Sequence, residues 1–113
     1  MNITITSIGD INMVRLSGRL DSESSALLQQ TLQPLAKGGG KIVIDMKEVQ
    51  FVASAHFYMV RKFHAELERS GGRLAMINVL DAVKRAYDMT GFSERIPQFE
   101  SEEAAIIALS KTE

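Results

Sequence analysis

The chain has 113 residues, 45% of them hydrophobic, and carries 13 Lys and Arg against 14 Asp and Glu for a net charge of −1. That balance describes one folded domain with one core; it excludes a disordered chain and a polycation that holds nucleic acid by charge. The absence of cysteine removes disulfides, thiol nucleophiles and thiolate metal sites, and the longest apolar runs are too short to cross a bilayer.

The N-terminus shows neither the basic segment nor the apolar run of a signal peptide, so a cytoplasmic protein without membrane insertion is expected. The stretch NITITSIGDINMVRLSG alternates apolar and polar residues on either side of Gly9–Asp10, which predicts a β-hairpin. The period then changes. Asp21 or Ser22 can cap a helix with Glu23 in its first turn, and Leu27, Leu28, Thr31, Leu32 and Leu35 form its stripe. Gly38, Gly39 and Gly40 stop it.

KIVIDMKEVQ reads as a strand, its first half apolar enough to be covered on both faces. SAHFYMVRKFHAELERSGG follows as a helix of about four turns. Ser54 is placed as its N-cap; Phe57, Val60, Phe63 and Leu67 should face the core, and Arg61, Lys62, Glu68 and Arg69 water. RLAMINV is a second buried strand, LDAVKRAYDMTGF a helix capped by Asp81, and RIPQF an extended segment because Pro97 disfavours helical geometry at Ile96. ESEEAAIIALSK closes the chain as a helix capped by Ser101, with acids where the helix dipole favours them. The order ββαβαβα(β)α predicts an α/β domain: a mixed sheet with parallel inner strands and helices packed on it.

Three groups of residues invite chemistry. GGGK at 38–41 lies between a helix and a strand, the reverse of a phosphate loop, and reads as a helix stop. His56 and His64 are eight residues apart, about 12 Å along one helix, too far to share a metal. Ser54 and His56 point to different sides of their helix and lack the third group and oxyanion hole of a nucleophilic site. No enzyme activity, metal or cofactor is expected. What remains is the rim where parallel strands end and helices begin, the usual functional edge of such sheets. On it sit Asp21, residues 52–57 and the segment after Ile77–Val79.

Four stretches, VRLSGRLDSESS, KIVIDMKEVQFVASAHF, SGGRLAMINV and AVKRAYDMTGFSERIPQFESEEAAI, resemble the STAS domains, above all the stand-alone bacterial anti-sigma factor antagonists. The resemblance implies the STAS fold, with about four to five strands and about four helices. It implies a protein that binds an anti-sigma factor which is also a serine kinase of the histidine-kinase-like ATPase class, and that phosphorylation of one antagonist serine ends that binding.

The family's switch motif reads D-S-S-G after an F-I/M pair. Phe51 and Val52 match the pair; Ala53 stands at the motif's Asp, Ser54 at its first serine, Ala55 at the phosphorylated serine and His56 at its glycine. The family's Asp after G-x-L survives as Asp21. The resemblance therefore implies an antagonist without the usual switch, with Ala53, Ala55 and His56 shaping the contact and Tyr58, Arg61 and Lys62 as further contact residues. Ser54 as a shifted acceptor is an alternative, displaced about 100° around the helix. An engineered variant without the acceptor is another, which needs separate changes at Ala53, Ala55 and His56. A STAS subunit or accessory domain of a lipid or anion transporter, or another signalling scaffold, is a reading of a different class. Oligomeric state is left open.

Overall fold

A computed structural model describes residues 1–110. The hairpin is β1 (Asn2–Ile8) and β2 (Ile11–Leu20), turned by Gly9 at φ 63° and Asp10. Helix α1 (Ser22–Leu32) runs into a 3-10 turn at Gln33–Ala36, where Pro34 sits in the first positions that tolerate it. Then come β3 (Lys41–Val52), α2 (Ser54–Arg69), β4 (Arg73–Ile77), α3 (Asp81–Met89), α4 (Phe92–Arg95), β5 (Gln98–Phe99) and α5 (Glu102–Ser110). The strands are ordered β1-β2-β3-β4-β5; β1 and β2 are antiparallel and every later pair is parallel.

Strand alternation divides the apolar residues between two faces. Val14, Leu16, Ile42, Ile44, Met46, Leu74 and Met76 join Leu28 and Leu32 of α1, Val60, Phe63 and Leu67 of α2, and Val83, Tyr87 and Phe92 of α3 and α4. Ile11, Met13, Val43, Ala75 and Ile77 on the reverse face are covered by Ala105 and Leu109 of α5. Four helices thus lie over one face and one over the other.

Several expected details change. Leu27 was placed in the buried stripe of α1 but is 45% exposed; Leu28 and Leu32 are buried, with Ser24 and Ser25 one turn earlier. Asp81 does not cap α3. It is the first helical residue, Leu80 flanks it, and no side chain bonds the helix end. The short α4 follows Gly91, which turns the chain at φ 76°, and had no periodic signal of its own. Ser101 does cap α5, its hydroxyl accepting from the Ala104 amide at 3.1 Å. Lys111, expected in the same helix, lies outside the described residues.

The reverse face is tied by one buried carboxylate. Asp45 of β3 accepts from Arg15 Nη1 of β2 at 2.8 Å, from the Lys47 amide at 3.0 Å and from Asn78 Nδ2 at 3.1 Å. Arg15 Nη2 also donates to Glu102 of α5 at 2.9 Å. Asn78, just past the end of β4, holds a left-handed φ of 57°, a conformation that Asn tolerates and its bond to Asp45 secures. Asp45→Ala removes the common acceptor of three donors and should lower the unfolding free energy by about 2 kcal/mol. Urea unfolding of the variant beside the parent measures this; an unchanged midpoint would refute the assigned role.

Candidate functional site

β2 and β3 run parallel and finish together, with Leu20 opposite Val52. The Ala53 amide then donates to the Leu20 carbonyl at 2.8 Å. Two register shifts, between Arg15 and Ser17 and between Gly18 and Arg19, bring the end of β2 to this point. Gly18 lies at φ 128°, and a Cβ there would sit 3.3 Å from Met1 Cα. Next to it the Arg19 guanidinium lies 4.0 Å over the Phe51 ring, joining the two strand ends on the surface.

Both following helices begin from this junction, and they begin differently. Asp21 caps α1 through a capping box. Its carboxylate accepts from the Ser24 amide at 3.0 Å, and the Ser24 hydroxyl accepts from the Asp21 amide at 3.0 Å. The Ser24 amide, then its hydroxyl, hold the Asp21 carboxyl below the usual carboxylate range. At α2 the N-cap is Ala53, which has no side chain to give. The expectation that Ser54 caps this helix is therefore corrected. Ser54 is the first helical residue, exposed, one position past the place where a hydroxyl could fold back on the helix amides.

Between the first two turns of α1 and α2 runs a groove of about 300 Å³. On α2 it is lined by Ala55, Tyr58, Met59 and Lys62; on α1 by Ser22, Ser25, Ala26 and Gln29. Ala55, Tyr58 and Lys62 thus come together, as their spacing of three and four demands. Tyr58 is 81% exposed at the lip. Arg61 is carried to the other side of α2, where it lines a separate cleft with His64 and Arg95. The α1 wall was missed from sequence. Its signal was available, because 22, 25, 26 and 29 fall at helical spacing on the side away from Leu27.

His56 is also corrected. Its ring is not part of the surface: the residue is completely buried behind the first turn of α2. His56 Nε2 and the Tyr87 hydroxyl share a hydrogen bond of 2.7 Å, and the ring lies within 6.0 Å, centroid to centroid, of Phe57, Tyr87 and Phe92. His56 Nδ1 has no partner among the described residues. Burial pushes the His56 pKa down to about 4, and the same burial raises that of Tyr87. A protonated ring would need acceptors for two N–H groups where only the Tyr87 oxygen is at hand. Burial is the cause that disfavours the charged ring.

A sequence model of the STAS domain matches residues 2–105. The chain belongs to the STAS family. Among curated relatives, this STAS domain is 28% identical over 98 residues to the anti-sigma-B factor antagonist of Bacillus subtilis (strain 168), an alignment covering 85% of the chain and 90% of that protein. It is 27% identical over 99 residues to the anti-sigma F factor antagonist of Paenibacillus polymyxa, covering 86% and 85%. Its fold matches that of the anti-sigma factor antagonist SpoIIAA in its unphosphorylated form with a TM-score of 0.80 at 18% identity, over 99% of this chain and all of the other. The anticipated mixed sheet, parallel within, is that of the family.

The buried histidine makes the domain acid-sensitive. An unfolded chain takes up a proton near pH 6.5, whereas the folded chain refuses it until about pH 4. The contribution of His56 is therefore complete above 6.5 and falls by about 1.4 kcal/mol per unit as pH drops through that window. His56→Phe should flatten this slope between pH 6.5 and 4.5. Denaturant unfolding across that range decides, and parallel slopes for the two proteins would show that His56 is not the group responsible.

Proposed function

We propose that this STAS domain is a non-catalytic regulator which acts by binding a protein partner at the rim. The partner is an anti-sigma factor that is also a serine kinase of the histidine-kinase-like ATPase class. The domain docks on it through Asp21, the turn at Ala53–Ala55 and the groove lip of Tyr58 and Lys62, without a serine switch. Relatives named as anti-sigma factor antagonists, aligned along 85% and more of the chain, support this reading over that of a transporter subunit.

The observation that carries the absence of a switch is at Ala55. This residue occupies the position that the family likeness gives to the acceptor serine. It lies half-buried in the first turn of α2, where the groove begins, and its methyl group offers no oxygen to a phosphoryl group. Ser54 next to it has a hydroxyl but leaves the helix about 100° away, so a kinase aligned on position 55 would miss it.

Ala55→Asp places a negative charge at that position. The new carboxylate lies in the first turn of α2, where the helix dipole tolerates it, so the fold is retained. Binding to the captured kinase should weaken at least about tenfold, roughly 1.4 kcal/mol. Affinity capture of the tagged domain from its host lysate, with mass spectrometry of bait and bound proteins, identifies the partner. An ATPase-type kinase on unmodified bait is the expected result, and Ser54→Ala should leave its recovery unchanged. Phosphate on Ser54 would restore the switch and defeat the proposal that it is lost. A transporter subunit in place of the kinase would overturn the regulatory reading.

A further inference from the structure

β1 lies at the border of the sheet and, among the described residues, pairs on one side only. Its register with β2 is unbroken from Asn2 opposite Ser17 to Ile8 opposite Ile11. The outer side of such a strand is a row of amides and carbonyls ready to accept another strand. Proteins blunt these borders with charge, proline, a bulge or brevity. The opposite border follows that rule: β5 has two residues, directly after Pro97. β1 has none of these devices. NITITSI is seven residues long, uncharged and without proline or glycine, and five of its residues are β-branched. Ile5 is 41% exposed on the face where Ile3 packs against the core.

We infer that the partner of this border is a second copy of the chain, β1 against β1, antiparallel about a two-fold axis at Thr4. Residues directly opposite in an antiparallel pair share a face. With the axis at Thr4, Ile3 stands opposite Ile5 of the second copy, and the symmetry repeats the pair. Thr4 meets Thr4, and Asn2 meets Thr6. Moving the axis to Ile5 would instead set Ile3 against Ser7 and leave one isoleucine pair. The lack of charge is what a two-fold needs, because any charge at the axis meets its own copy. Leu27, 45% exposed, shares a cleft with Met1 at the same border and extends the apolar surface. About six backbone hydrogen bonds would join the two sheets. The two rims then face opposite ends of the continuous sheet, so both stay open.

The absence of cysteine supplies the test. Light scattering across a concentration series should show the mass rising toward twice the 12.5 kDa of one chain. Thr4 is exposed, so Thr4→Lys leaves the fold intact and sets two ammonium groups face to face; dimerisation should weaken at least about tenfold. Under mild oxidation Thr4→Cys should close a disulfide between copies, since opposed Cα atoms lie about 5 Å apart, within the span of a disulfide. Thr6→Cys should not, because the two sites are offset by about 13 Å along the strands. A monomer at every concentration overturns the inference. So does a dimer indifferent to Thr4→Lys, or equal cross-linking at both positions.

Discussion

The bond from the Ala53 amide to the Leu20 carbonyl is the joint on which the rim of the sheet depends. Parallel strands cannot be linked by a tight turn; the chain must leave the sheet, cross a face and return. Here α1 is that crossover between β2 and β3. Because β2 and β3 stop at the same level, α1 and α2 start at the same level and descend across the same face together. The groove between them is a product of that common start. A slip of one residue in the β2–β3 register would turn every inward side chain outward and move the start of α2 away from α1.

Small residues line the front of this rim and large ones brace it from behind. Ala53 and Ala55 keep the first turn of α2 low. Under it the His56 ring, bonded to Tyr87 and packed among Phe57 and Phe92, ties α2 to α3 and α4. The first turn rests on stacked and edge-on rings, not on a side-chain cap. A surface built this way is already ordered, which would keep the entropy cost low for the proposed docking.

Features with strong local rules were legible in the sequence. Gly9–Asp10 marked the hairpin, Asp21 or Ser22 the cap of α1, a role that Asp21 takes, Gly38, Gly39 and Gly40 a stop, and Pro97 the extended segment that becomes β5. Features set by a single step around a helix were not. A cap acts at one position only, and the chain between Val52 and Ser54 gave no local sign that the first helical φ and ψ begin at Ser54 and not after it. The burial of His56 followed from the same counting. Val60, Phe63 and Leu67 extend backward to both Phe57 and His56, and only the rings of Tyr87 and Phe92, more than thirty residues on, make the histidine the more enclosed of the two. Arg61 and Lys62 looked alike as solvated charges; being adjacent, they diverge by about 100° and serve opposite sides of α2.

The unequal cover of the two faces has a consequence for how the domain opens. Over one face the helices share a large apolar cluster with the sheet. On the other, α5 buries only Ala105 and Leu109 fully, beside the partly exposed Arg15–Glu102 ion pair. Detaching α5 uncovers only the smaller of the two apolar clusters, Ile11, Met13, Val43, Ala75 and Ile77, and leaves the strand ladder intact, so its amides should open to solvent by a local route below the free energy of global unfolding. The helices that frame the rim have no such route of their own. Salt, which screens the Arg15–Glu102 pair, would ease the opening of the back of the molecule and leave the α1–α2 groove in place.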